Sequence, residues 1–312
     1  MKSSAPVLLL VFNRIEETQK VVAVLKQVKP SRLYVAADGP RSGNASDHQG
    51  CKAVRDYLRK ELNWEMDLVL RFQDENMGSG KHVSSAISWF FEQEEEGIIL
   101  EDDCIPALSF FKFCGDLLQR YKMDDKIQLI GGTNYFSPGN NDSYYFSDLP
   151  QIWGWATWRR AWKHNDFSLK SIDENRLKQL VKSRFKNHQL QDYWLKVYRM
   201  MKTDPLDAWD YQWTFSMWNA GGIAIIPAKN LISNVGYGEL ATHTKHKIDE
   251  VFDRPTEDIR EMVHPKSKKV RKDLDLKLFF NNFEPRKSFY FLRKLKDKIR
   301  CEVKKLIGIG KP

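Results

Sequence analysis

The sequence predicts an α/β fold: a mostly parallel, doubly wound sheet with helices on both faces and an aromatic-rich second half. Three observations predict it. Over the first ~130 residues, short apolar runs alternate with segments of helical periodicity. One such run, Ile98-Ile99-Leu100, ends in Glu101-Asp102-Asp103, which suits a strand whose carboxyl end opens on a ligand crevice. And 312 residues, 42% hydrophobic and 29% charged, are enough to bury a sizeable core in one large domain or two.

Pro6–Phe12 reads as a buried strand, followed by a helix over Glu16–Gln27 with Val21, Val22, Val24, Leu25 and Val28 on its apolar side. Leu33–Ala37 is a second strand and stops at Asp38-Gly39-Pro40, a strong turn signal. Asp47 is the expected cap of a helix through Leu62, with Val54, Leu58 and Leu62 four apart. Asp67–Phe72 is a third strand, Asn76-Met77-Gly78-Ser79-Gly80 a loop, and Lys81–Phe91 a helix. Gly97–Leu100 is the fourth strand, Phe110–Tyr121 a helix and Ile127–Ile130 a further strand. Residues 1–130 are thus expected to form a nucleotide-sugar-binding half, and residues 131–245 the acceptor and catalytic half of the same domain. Within the second half, 172–202 reads as a polar helical insert and Ala220–Pro227 as a strand. Residues 246–285 are charged and expected to be peripheral, and 286–312 form a basic amphipathic tail.

The four cysteines form no Cys-x-x-Cys pair, which argues against a zinc site or a disulfide scaffold and fits a reducing compartment. The apolar run from Val7 to Phe12 meets Asn13 and Arg14 at once, so it is expected to be a strand and not a leader. No stretch approaches the ~20 apolar residues of a membrane span. The net charge of +9 is uneven: residues 286–312 carry +8 and residues 1–285 only +1. A nearly neutral body argues against a nucleic-acid partner. In the tail, Phe289, Leu292, Leu295, Ile299, Val303 and Leu306 recur three or four apart among Lys and Arg. That pattern suits a helix lying on an anionic membrane; a helix docked on the body or a charged tail has the same composition. The expected location is cytoplasmic, with the tail on the inner face of the cytoplasmic membrane.

Three adjacent carboxylates repel one another unless a cation or donor neutralises them. Glu101-Asp102-Asp103 is therefore either a solvated acidic turn or a site for Mg2+ or Mn2+, and its place at a strand's carboxyl end favours the metal. Gly78-Ser79-Gly80-Lys81 fails the phosphate-loop pattern, because Glu75 and His82 stand where Gly and Ser or Thr are required. A Gly-rich helix start with Lys81 beside it suits a diphosphate contact or a plain helix start. Asp38 is a turn residue or a carboxylate facing a base or ribose. Trp153-Gly154-Trp155 and Trp158 are core aromatics or a wall against a sugar ring, with Gly154 allowing close backbone approach. Asp207 and Asp210 lie among Trp209, Tyr211 and Trp213; either could be an N-cap, and Asp210 is the stronger candidate for a base that takes a proton from an acceptor hydroxyl. His243 follows Gly236 and Gly238 and is structural or closes over a metal–diphosphate.

Together these residues resemble the GT-A class of nucleotide-sugar-dependent glycosyltransferases, and most closely the N-acetylglucosaminyltransferase that starts complex N-glycans with its bacterial relatives in surface-polysaccharide assembly. The resemblance spans roughly residues 5–245. It implies Arg14 at the nucleotide, Asp38 at the uracil, and Glu101 and Asp102 beside Asp103, the metal ligand. It also implies Trp153-Gly154-Trp155 near the donor sugar, Lys81 and Arg14 assisting at the diphosphate, Asp210 as catalytic base, and His243 in the Gly-then-His loop. Trp209-Asp210-Tyr211 has one acid where the family has two. The implied activity is metal-dependent transfer (Mn2+ or Mg2+) of a hexosyl or N-acetylhexosaminyl group. The sugar would move from a nucleotide-sugar donor, UDP-linked, to a hydroxyl of a glycan or lipid-linked saccharide acceptor, with inversion. A sugar-phosphate nucleotidyltransferase would carry a Gly-rich, Arg-containing loop after its first strand, where this chain has Phe12-Asn13-Arg14-Ile15-Glu16. A non-catalytic carbohydrate-binding protein would not need both an acidic triplet and a separate acid.

Overall fold

Five consecutive buried residues, Val7–Val11, form β1, the strand around which the sheet is laid. The computed structural model describes residues 5–203, 207–237 and 252–283. After β1 come α1 (Ile15–Val28), β2 (Arg32–Ala37), α2 (Ala45–Glu61), β3 (Asp67–Phe72), α3 (Ser79–Gln93) and β4 (Glu96–Glu101). Then follow β5 (Cys104–Pro106), α4 (Leu108–Arg120), β6 (Ile127–Gly131), β7 (Tyr144–Ser147), β8 (Trp155–Trp158) and α5 (Arg159–Trp162). The chain continues through α6 (Glu174–Arg184), α7 (His188–Thr203), α8 (Asp210–Asn219), β9 (Ile223–Pro227), β10 (Ile232–Asn234) and α9 (Lys272–Leu278), with a π-helical turn at Phe279–Phe283.

Eight strands make one sheet in the order β3-β2-β1-β4-β8-β6-β9-β7. β3, β2, β1 and β4 are mutually parallel, as are β6 and β9; β8 and β7 run antiparallel to their neighbours. The expected mostly parallel α/β architecture is present. Strand alternation assigns the faces. Val7, Leu9 and Val11 pack with α1, α2 and α4, whereas Leu8 and Leu10 pack with α3, α6, α7 and α8. Helices therefore cover both faces. Leu10 pairs with Glu101 and Val11 with Ala37, so the residues after β1, β2 and β4 emerge side by side.

Several boundaries differ from expectation for local reasons. The cap of α2 is Asn44, whose side chain accepts from the Asp47 amide; Asp47 is buried and bound by Arg41 and Asn13. β9 starts at Ile223 because α8 runs to Asn219 and Gly221, at φ +76°, turns the chain. The insert over 172–202 is two helices, α6 and α7, whose Leu177, Val181, Leu190 and Trp194 enter the main core. The segment expected to be peripheral is anchored: Leu274, Asp275, Leu278 and Phe279 are buried. Their apolar face spans barely two helical turns, too short to stand out in a charged stretch.

That anchor contains a buried polar knot. Asp275 accepts from Ser147 Oγ (2.5 Å) and the Asp148 amide (3.1 Å), while Asp148 pairs with Arg184 (2.6 Å) and Lys272. Burial pushes the Asp275 carboxyl up to about 7, against the bonds from Ser147 and Asp148 N–H that favour its charged form. An acid raised in the folded state holds a proton that the unfolded chain has released, so stability falls as pH climbs from the ordinary carboxylate range to about 7. The loss is on the order of 2–4 kcal/mol. Asp275→Asn is expected to reduce the fall in melting temperature across that window without abolishing it, because Glu101 and Asp102 are raised as well; an unchanged slope would remove Asp275 as a source.

Candidate active site

The acidic triplet sits where β4 leaves the sheet. Glu101 continues the alternation of Ile99 and faces the side of α8; Asp102 and Asp103 turn the chain into β5. Arg14 arrives from the neighbouring end of β1. Its carbonyl is held by the Thr18 amide (3.1 Å) and hydroxyl (2.6 Å) at the start of α1. Its guanidinium bonds the Asp102 carboxylate and reaches Asp103 Oδ2 at 2.8 Å. Burial opposes the charge on Arg14, but the two carboxylates outweigh it and hold the guanidinium above its ordinary range. Glu101 is pushed up to about 8 by burial, with Asp103 and Asp102 adding, Arg14 opposing and Asp210 contributing a further repulsion. Burial likewise lifts Asp102 to about 6 against the pull of Arg14. The triplet is a buried charge cluster with its own countercation, not a solvated turn.

A short second sheet finishes the cradle. β10 pairs antiparallel with β5, Asn234 opposite Cys104. The Val235 amide donates to the Asp103 carbonyl (2.9 Å), and Asn234 Nδ2 lies 3.4 Å from Asp103 Oδ1. A Cβ at Gly236 would collide with the Asp103 carboxylate and push it from its place, so glycine there lets the carboxylate keep its position. In the sequence Asn234 is only the first residue of the segment that resembles the Gly-then-His loop, with no role of its own; strands of three residues carry no periodicity.

The donor chemistry sets what could bind. Among the described residues no three His, Cys, Asp or Glu side chains converge as metal ligands. Asp103 offers a hard carboxylate oxygen, and Mg2+ or Mn2+ accepts few protein ligands when phosphates and water complete its shell. The residues fit a cation that arrives with a diphosphate and do not form a cage for one held alone.

Other expected site residues take different places. Asp38 is buried and pins the loop after β3: it accepts from Gly39 N–H (2.8 Å), Met77 N–H (2.9 Å) and Asn76 Nδ2 (3.0 Å). Behind it, burial lowers the pKa of His82, whose Nδ1 lies 3.8 Å from Asp38. The start of α3 is not open to an anion. Ser79 and Gly80 N–H donate to Asp207 Oδ2 (2.8 Å) and Oδ1 (2.7 Å), and Lys81 is exposed on the same turn. The sequence offered no sign of this contact across 127 residues.

The Trp-Gly-Trp segment divides. Trp155 lies in the core, stacked on Trp209 at 5.6 Å and flanked by Trp162 and Trp213, and presents no wall to a ligand. Gly154, at φ +58°, accommodates the side chain of Ile232 and not a ligand. Trp153 alone lines a cavity of about 150 Å3, together with Tyr135, Tyr211, Phe283 and Asp210. Asp210 is the first residue of α8, and its charge adds to the repulsion at Glu101. Asn282 and Phe283, from the segment expected to be peripheral, also line the cavity. His243, Gly238 and the tail 286–312 lie outside the described residues. Among the described residues no helix is long and apolar enough to cross a membrane.

No model of a known protein family matches the chain, and no curated protein matches it. Solved structures are similar at low identity. A mannosyltransferase from Pyrobaculum calidifontis, in complex with GDP-Man and Mn2+, is 10% identical over 70% of this chain and 71% of its own, with a TM-score of 0.39. An inositol-1-phosphate CTP transferase from T. maritima is 10% identical over 73% of this chain and 86% of its own, with a TM-score of 0.37. TarS from S. aureus, residues 1–349, is 11% identical over 64% of this chain and 72% of its own, with a TM-score of 0.35. With scores this low the likenesses carry no functional argument, which rests on the chain's own geometry.

Proposed function

We propose that this protein is a nucleotide-sugar-dependent glycosyltransferase that moves a hexosyl or N-acetylhexosaminyl group from a UDP-linked donor to a hydroxyl of a glycan or lipid-linked saccharide, with inversion. One observation carries the reading: Arg14 and the triplet meet at the carboxyl edge of the sheet, and Asp210, which lines an aromatic cavity, is near enough to add to the repulsion at Glu101. The two halves of a transfer reaction, charge for a leaving diphosphate and a base for an incoming hydroxyl, would thus be adjacent.

In this reading Arg14 offsets negative charge at the diphosphate, and Asp103 is the ligand for a cation. A Mn2+ or Mg2+ bound with the diphosphate would supply Lewis-acid stabilisation of the leaving group. Asn234, Val235 and Gly236 fix the orientation of Asp103. Asp38 holds the loop against which a base would lie. Trp153, Tyr135 and Tyr211 offer ring faces to an acceptor sugar, and Asp210 takes the proton from its hydroxyl.

Calorimetry with UDP tests the donor half. Wild-type protein is expected to bind UDP more tightly with Mn2+ than without, and Asp103→Ala is expected to lose that difference. Gly236→Ala, which displaces the same carboxylate, should weaken the Mn2+-dependent part by about 10–100-fold. Binding of UDP that is the same with and without Mn2+ would refute the metal role of Asp103.

A further inference from the structure

We propose that Asp207 is a positioning residue: its carboxylate latches the segment carrying Asp210 onto the amino terminus of α3, and the Gly78-Ser79-Gly80 turn is the seat for that latch. The inference rests on the reading of Asp210 as the base.

Both Asp207 oxygens are engaged, one by each of two successive amides, at 2.8 and 2.7 Å. Charge-assisted bonds at the positive end of a helix are the strong kind. Gly78 is required by its φ of +82°, and the same contact adds a second reason there and the main one at Gly80. A Cβ on Gly78 would meet the Asp207 carboxylate at 2.9 Å, and one on Gly80 would meet the Ala208 backbone oxygen at 2.7 Å. Gly80 lies inside the first turn of α3, where alanine is otherwise the better helix residue. Its lack of a side chain serves the approach of residues 207–208 and not the helix.

The segment is then fixed at each step toward Asp210. The Ala208 carbonyl accepts from Gln212 Nε2 (2.9 Å), the Trp209 ring stacks on Trp155, and the Trp209 carbonyl receives the Trp213 amide (3.1 Å). Asp207 and Trp209 bracket the entry to α8, so Asp210 starts the helix in one place. A turn that resembles a phosphate loop in sequence thus binds a carboxylate of its own chain.

The test compares Asp207→Ala, Gly80→Ala and the double variant in the full chain. Turnover is measured well below each melting temperature, and amide exchange is followed at Ser79 and Gly80. Small displacements of a catalytic group cost up to about 100-fold, so each single variant is expected to lose about 10–100-fold in kcat with donor KM within about twofold of wild type. Because both changes break one contact, the double variant should be no worse than Asp207→Ala. Exchange at Ser79 and Gly80 should quicken in Asp207→Ala whether or not a sugar is turned over. Wild-type kcat in Asp207→Ala overturns the proposal, as does full additivity in the double variant. A donor KM that falls when Asp207 is removed also overturns it, since the turn would then be a phosphate site that Asp207 blocks. A wild type without turnover refutes the transferase reading and the positioning role with it, while the exchange result still reports whether the latch exists.

Discussion

Asp210→Asn is expected to lower turnover by about 10²–10⁴-fold while leaving donor affinity within about twofold. The substitution keeps shape and removes basicity. Asp210 opens α8 and lines the aromatic cavity, so an amide of the same size fits the same space. Losing a negative charge at a helix N-terminus costs about 0.3–1 kcal/mol of stability, far too little to unfold the chain. In the proposed reading the donor is held by Arg14 and Asp103, which the substitution leaves in place. A fall in kcat with unchanged donor binding therefore isolates proton transfer from the acceptor. Near-normal turnover would remove Asp210 as the base.

Arg14→Ala is expected to be the most destabilising single change at the site, by about 3–5 kcal/mol, because it leaves Asp102 and Asp103 buried without their cation. For a chain of this size that is a fall in melting temperature on the order of 10 °C. The side chains concerned are 16% exposed for Arg14, 4% for Asp102 and 13% for Asp103, so water does little to screen the exposed repulsion. Arg14→Lys should recover part of the loss, since an ammonium keeps the charge but cannot bridge both carboxylates with a planar fork. Thermal unfolding of the three proteins at one pH and ionic strength measures this directly. Equal melting temperatures would mean that the acids are neutralised by something other than Arg14.

The strand–helix alternation of the first half was legible because each element is long enough to show its period. That the triplet opens on the crevice at the carboxyl edge of the sheet was legible for the same reason; that Arg14 bonds Asp102 and Asp103 there was not. Nor was the register that makes Leu10 the partner of Glu101. Trp155 was misassigned because a clustered tryptophan has the same sequence signature in a core as on a binding wall; the turn at Gly154, φ +58°, just before β8 sends Trp153 to the other side. Asp207 was weighed as a cap of its own helix and instead caps α3. Nothing local in either segment announces a partner so far along the chain. The lining contributed by Asn282 and Phe283 was hidden in a charged stretch with few apolar residues, anchored by those and by the Asp275 knot.

Release of nucleoside diphosphate from a panel of nucleotide sugars, with Mn2+ and the full chain, tests the central claim most directly. At least one donor, UDP-linked, is expected to be consumed with release of free UDP, and Asp103→Ala and Asp210→Asn should each suppress it. No release from any donor would contradict the account, as would formation of a nucleotide sugar from sugar phosphate and nucleoside triphosphate with release of pyrophosphate.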